Sequence, residues 1–225
     1  MKPPIAILFV PDRITDANRS QTEALYDRLS GLDYDTVVFA ERSPIDSDRK
    51  IPMPSVAAFA ISGITVPAND ALRNDFCDED DDFYIDDVAL RPDMSVFEHL
   101  PLLRQSLTGD FSMVSVPLCD SDPAIVREFA YVISEIMGGR NGLLLVACHM
   151  EASDTAGWMR LAPHLDTMNH SNLFNVLNSG SVDIRGSEVF VGGLLVADAW
   201  GLTARFEAAN RPGESRITGS ASVDT

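Results

Sequence analysis

An α/β fold, one domain over residues 1–225 built on a mostly parallel sheet flanked by helices, is predicted by three observations. Short aliphatic runs recur along the chain and are apolar at successive positions, as strands covered on both faces require. Between them lie segments with helical spacing and recognisable caps. No internal repeat or low-complexity linker divides the chain, and 45% hydrophobic with 23% charged residues suits a sizeable core.

The elements follow in order. IAILFV (5–10) is a continuous apolar run fit for a buried strand, and RSQTEALYDRLSGL (19–32) has helical spacing and a glycine near its end. TVVFA (36–40) is a second strand. An irregular loop with Pro and Asp follows, then PSVAAFAISG (54–63) as a third strand. Residues 69–76 predict a short helix and 77–93 an acidic connecting loop. Ser95-x-x-Glu98 has the pattern of a capping box ahead of Leu100, Leu103 and Leu107. FSMVSVPL (111–118) is a strand. Ser121-Asp-Pro123 opens a helix through AIVREFAYVISEIMGG, with Pro in its first turn. GLLLVAC (142–148) is a further strand, helices are predicted over 164–178 and 187–200, and the tail reads as two short strands around a turn. Gly192-Gly193 falls inside the last helix, where glycine costs about 1 kcal/mol relative to alanine. Close packing on a strand or a partner subunit would account for the pair. It is not a nucleotide fingerprint, since no strand precedes it in the required way.

A formal charge of −17 argues against nucleic acid, whose phosphates need clustered Lys and Arg. Lys2 and Lys50 are the only lysines, and every other fixed cation is Arg. CDEDDDFYIDD (77–87) could chelate a hard cation, but it lacks the glycine-punctuated alternation of a calcium loop, and a solvated acidic loop is the simpler reading. No apolar run reaches bilayer length, and the start MKPPIAILFVPD reads as a first strand rather than a cleaved leader, so a cytoplasmic protein without a membrane partner is expected. Cys77, Cys119 and Cys148 are widely spaced, without a CxxC, which suggests reduced thiols.

The chemistry-bearing stretch is LLLVACHMEASD (143–154), where aliphatic residues deliver Cys148, His149 and Glu151 to a strand end. A nucleophilic Cys148 activated by His149 is disfavoured, because successive strand residues point to opposite faces. His149 lies where open α/β sheets place ligand crevices.

Several segments, read in order, resemble the MEMO family. SVFEHLPLLRQSLTGDFSMVSVPLCDSD (95–122) is similar to that family's E-H-S-x-E segment, its following LPFL and the next strand. GLLLVACHMEASD (142–154) stands where the family has a strand ending S-S-D-x-S-H. LDTMNHSNLFNVLNSGSVDIRGSEVFVGGLLVADAWGL (165–202) resembles its helix, glycine turn and T-I-C-G-R segment, and ESRITGSASVD (214–224) its closing strands. AILFVPD and TVVFAERSP take the places of P-H-A-G-Y and G-P-S-H. Through MEMO the chain resembles class III extradiol ring-cleaving dioxygenases, which implies an α/β fold with a metal site at the strand ends.

The ligands that the resemblance implies are mostly replaced. The first His falls on Asp12 of Pro11-Asp12-Arg13, the second on or next to Ser43, and the Cys on Arg185. In the strand-end motif the Asp becomes His149 and the following His becomes Ala152. The E-H-S-x-E positions read Asp93, Met94, Ser95 and Phe97. A guanidinium has no lone pair and cannot ligate a metal. The resemblance therefore implies a vestigial pocket of Asp12, Arg13, Ser43, His149, Glu151 and Arg185, with no catalytic residue, no metal and no cofactor.

Three uses of such a pocket are open. Asp12 and Arg185 could pair across it and plug it, since either charge buried alone would be costly. Arg13, Arg42 and Arg185 could instead grip a small anionic ligand through a carboxylate or phosphate. Alternatively His149 with Asp12, Glu41 and Glu151 could rebuild a metal site, giving an enzyme acting on a small anionic or aromatic substrate. The favoured expectation is a degenerate, non-catalytic protein that binds, as a structural or regulatory subunit of a homo- or hetero-oligomer. His99, His164, His170 and Trp200 have ordinary core or surface explanations.

Overall fold

The computed structural model describes residues 4–43, 45, 50–167 and 169–223. Six strands form one mixed, mostly parallel sheet. In chain order the elements are β1 (Ile7–Val10), α1 (Arg19–Asp27), β2 (Thr36–Arg42), β3 (Ile51–Met53), β4 (Ala58–Ile61), β5 (Ile64–Pro67), α2 (Asp70–Glu79), β6 (Phe83–Ile85), a 3-10 turn at Asp87–Ala89, and α3 (Ser95–Ser106). They continue with β7 (Ser112–Leu118), α4 (Pro123–Met137), β8 (Gly142–Ala147), α5 (Thr155–Asp166), α6 (His170–Asn178), α7 (Ser187–Ala199), β9 (Thr203–Phe206) and β10 (Gly219–Ser222).

The sheet order is β7-β2-β8-β1-β10-β9. β7, β2, β8 and β1 run parallel, and the C-terminal hairpin β9–β10 adds antiparallel at β1. The four parallel strands are apolar throughout because both faces are covered. One face carries Phe129, Ile133, Phe190 and Leu194, from α4 and α7; the other carries Leu25, Leu100 and Leu103, from α1 and α3. The glycine pair in α7 fits by close approach. A Cβ at Gly192 would sit 2.6 Å from the Phe129 ring, and one at Gly193 would sit 2.8 Å from Val146 and 3.0 Å from Phe9. The helix thus lies directly on the sheet, and the cost of two helical glycines is offset by that contact.

Several expectations need correction. The run 54–63 is not a third strand of the sheet. Its apolar residues alternate in burial, and Ala58–Ile61 pairs antiparallel with Ile64–Pro67 as a separate hairpin. Ser62 (φ 51°) and Gly63 (φ 83°) make its two-residue turn, and two positive φ values in succession match a strand twist that Ile61-Ser62-Gly63-Ile64 can satisfy. The acidic connection 77–93 is partly regular: α2 continues to Glu79, and β6 pairs in parallel with β3. Much of the loop after β2 lies outside the described residues.

The helix expected over 164–178 is two helices. α5 starts earlier, where Asp154 accepts the Gly157 amide at 2.8 Å, and α6 starts at His170 behind Asn169, which accepts the Asn172 amide. Pro163 sits inside α5, so it marks neither end. Among the described residues no helix is long and apolar enough to cross a membrane.

Candidate functional site

The carboxyl ends of β1, β2 and β8 lie side by side, because these strands are parallel neighbours. Each chain leaving this edge drops polar residues into one cleft. β1 delivers Asp12 and Arg13, β2 delivers Glu41, Arg42 and Ser43, and the start of α3 adds Asp93, Met94 and Ser95. Arg185 and Gly186, ahead of α7, close the far wall. The cavity is about 340 Å³. Crevices at strand ends are where open α/β sheets bind ligands.

The cleft brings together Asp12, Arg13, Ser43 and Arg185 of the expected pocket. Arg185 donates from Nε to Asp12 Oδ2 at 2.8 Å and from Nη2 to Asp12 Oδ1 at 3.0 Å. Two parallel charge-assisted bonds make this a fork-on-fork pair. The pairing raises the Arg185 pKa further. The pair does not fill the cleft: the Arg185 side chain is 58% exposed, and the cavity persists beside it.

His149 and Glu151 lie next to the cleft but not in its lining. His149 exchanges backbone hydrogen bonds with Arg185 at 3.0 and 2.9 Å, so the strand end is tied to the segment that carries the arginine. Its Nε2 is 3.5 Å from Glu151 Oε2, too long for a strong bond. Among the described residues its buried Nδ1 has no hydrogen-bond partner. Burial, with Arg185 nearby, lowers the His149 pKa and favours the neutral ring. Glu151 instead accepts the Gly213 amide at 2.6 Å, which holds its pKa down.

A rebuilt metal site from Asp12, Glu41, His149 and Glu151 is therefore not assembled. Asp12 is taken by Arg185, Glu151 by Gly213, and Glu41 turns toward α3. Among the described residues the group of three acids close enough to share a cation is Asp80, Asp82 and Glu128, at the solvated acidic surface instead. Cys148 is fully buried, and desolvation raises its thiol pKa well above the ordinary value, so it is a packing residue rather than a nucleophile.

Glu41 is the cleft residue whose setting sequence reasoning underweighted. Its carboxylate accepts the Ser95 amide at 2.7 Å and the Val96 amide at 3.4 Å, at the N-terminus of α3. This replaces the capping box expected from Ser95 and Glu98. The Ser95 hydroxyl donates to the Asp12 carbonyl at 2.5 Å, and Glu98 instead takes Arg13 Nη1 at 2.9 Å and the Ile14 amide at 2.8 Å. Burial pushes the Glu41 pKa from 4.5 up to about 7 against the pull of those amides. Glu188, in the first turn of α7, is likewise raised by burial and faces Arg42 Nε at 3.6 Å.

Behind the cleft, fully buried His99 ties three elements. Its Nε2 reaches the Pro11 carbonyl and its Nδ1 the Tyr26 hydroxyl, both at 2.9 Å. A carbonyl only accepts, so Nε2 carries the proton and Nδ1 accepts from Tyr26. Desolvation lowers its pKa to about 4, so the ring is neutral and fixed in one tautomer.

No family model and no curated protein sequence matches the chain. Among solved structures, an uncharacterised protein of Escherichia coli K12, JW3007, superposes with a TM-score of 0.70 at 11% identity, over 98% of this chain and 100% of that one. At that identity the likeness establishes a shared α/β fold.

Proposed function

We propose that the protein is a non-catalytic relative of the MEMO and class III extradiol dioxygenase proteins that acts by binding, as a subunit of an oligomer, and that its strand-end cleft takes a small anion. The Asp12–Arg185 pair is the observation that carries this reading. It joins two positions where the resembled family keeps metal ligands, and neither is left free to hold a metal. Arg185 offers no lone pair, and both Asp12 oxygens are engaged.

The cleft beside the pair supports the anion. Arg42 lines it with a side chain 62% exposed, and at 3.6 Å its link to Glu188 is the loosest of the three arginine contacts there. A carboxylate or phosphate at the same place would meet a guanidinium already held near the cavity, so little ordering would be needed.

Two measurements test the reading. Elemental mass spectrometry on untagged protein and on His149→Ala should find no stoichiometric transition metal. Titration calorimetry with inorganic phosphate and with malonate should show binding that Arg42→Met weakens about tenfold or more, the size of one charge-assisted contact. Near-stoichiometric iron, copper or zinc that His149→Ala removes would overturn the non-catalytic reading. Heatless titrations with both anions would remove the anion.

One observation favours a second reading, an enzyme rebuilt around a different residue. A carboxyl with a pKa of about 7 in a cleft with three arginines is the profile of a general base. Against it, Glu41 spends its oxygens on the α3 amides and is nearly inaccessible.

A further inference from the structure

Beside the cleft stands a buried acid, Glu188, in the first turn of α7, with a side chain only 3% exposed. The Ser187 hydroxyl donates to its Oε2 at 3.3 Å, its own backbone amide donates to the carboxylate, and Arg42 Nε faces its Oε1 at 3.6 Å. From the end of β8 the Cys148 thiol lies nearby, kept neutral by burial. Among the described residues the cation facing Glu188 is therefore Arg42, the arginine that the anion reading uses.

The backbone that carries this acid is anchored. Gly186 enters α7 at φ 70°, and a Cβ there would sit 2.7 Å from the Ala147 carbonyl, so the first turn rests on the end of β8. The residue before it, Arg185, is bridged to His149 by two backbone hydrogen bonds. A negative charge arriving at Arg42 thus meets a buried carboxylate whose backbone cannot retreat. If the anion draws Arg42 away, the carboxylate loses its counter-ion. If the two share the guanidinium, like charges lie within a few ångströms of each other. Both arrangements favour the neutral acid.

We propose that the cleft takes up a proton together with its anion, and that Glu188 is the acid that receives it. The proposal rests on the anion of the reading above and adds its regulation. The proton comes from solvent and ends on the Glu188 carboxyl; no other bond forms or breaks. Burial already raises the Glu188 pKa, and loss or sharing of Arg42 raises it further. The anion therefore binds most tightly at a pH low enough for the acid to be protonated beforehand. Its affinity falls as pH rises through the interval between the free and the anion-bound pKa, and is lowest above both. Glu188 is in this way an internal competitor for Arg42 that acid conditions silence.

The test is titration calorimetry with malonate at pH 6.5, 7.5 and 8.5, where malonate is doubly ionised, in buffers of different ionisation enthalpy. For wild type the observed heat should vary from buffer to buffer in the sense of proton uptake. Affinity should fall with rising pH by up to about tenfold per unit, the limit for one linked proton. Glu188→Gln should abolish both dependences and bind malonate about fivefold or more tighter than wild type at pH 8.5, because Gln brings no charge to compete for Arg42. Circular dichroism checks that the variant is folded, and the wild-type measurements need no variant. Glu41 is the other buried acid at the cleft. If Glu41→Gln abolishes the uptake while Glu188→Gln retains it, the assignment to Glu188 fails. Malonate binding with the same heat in every buffer and a flat pH profile would overturn the proton uptake and leave the anion standing. Titrations without heat at every pH would overturn the proposal and, with phosphate equally silent, the anion reading beneath it.

Discussion

Replacing Glu41 by Gln should make stability less dependent on pH, in a direction that burial dictates. In the folded protein the carboxyl titrates at about 7, against 4.5 ordinarily, because a buried carboxylate loses its hydration. Between those values the native state holds a proton that the unfolded chain has released. The group's contribution is therefore complete below about pH 4.5, shrinks as pH rises, and is gone once pH passes about 7. The gap between the two values corresponds to about 3 kcal/mol. Gln cannot ionise, keeps one oxygen for the Ser95 amide and sacrifices the weaker 3.4 Å contact to Val96. Urea denaturation of wild type and E41Q at pH 5, 6, 7 and 8 gives the difference curve, in which other groups, Glu188 included, cancel. The variant should gain on wild type by roughly 2–3 kcal/mol between pH 5 and 8. Parallel curves would show that Glu41 is ionised at little cost, and the argument from its burial would fail.

Other expectations concern packing and access. Gly193→Ala drives a methyl to within 3 Å of Val146 and should cost about 1–3 kcal/mol in urea denaturation, despite the better helix propensity of Ala. Tyr26→Phe leaves His99 Nδ1 without its donor and should cost about 1–2 kcal/mol, with little dependence on pH above 5 because the ring stays neutral. Ellman's reagent should label Cys77 and Cys119 in the native protein and reach Cys148 only on unfolding, since Cys148 alone is fully buried; prompt native labelling of Cys148 would contradict its packing.

The sheet was legible because its four parallel strands are buried on both faces, which leaves a continuous apolar signature in each. α4 was legible from local chemistry, Asp122 accepting the Ala124 amide ahead of a helix that begins at Pro123. What failed was half-buried or non-local. The β4–β5 hairpin alternates in burial, and its Ser62-Gly63 turn lies within a run that looks like one strand. α5 contains Gly157 and Pro163, residues that usually end helices, yet Trp158, Leu161, Ala162 and Leu165 keep helical spacing across them. The capping box at Ser95 had the right local pattern and was pre-empted by Glu41, 54 residues earlier in the chain. No window along the sequence registers that competition. In the cleft, identity at each position was readable, and so was the possible Asp12–Arg185 pair. The separation of His149 and Glu151 from the lining was not, because it follows from the backbone bridge between His149 and Arg185.

That bridge also explains why one arginine can reorganise the whole strand end. Its backbone locks Arg185 to β8 while its side chain locks to Asp12 at the end of β1, so two neighbouring strands are joined at their carboxyl edge by a single residue. The Asp12 carbonyl then receives the Ser95 hydroxyl, and Ser95 donates its amide to Glu41 at the end of β2. Arg185, Asp12, Ser95 and Glu41 thus form one chain of hydrogen bonds spanning the ends of β8, β1 and β2. A metal draws several strand ends together by sharing ligands, and this chain achieves a similar closure with charge pairs and backbone groups. Arg42 stands outside the chain: among the described residues its ion-pair contact is the 3.6 Å one to Glu188, so the anion proposed above would meet it without loosening the strand ends.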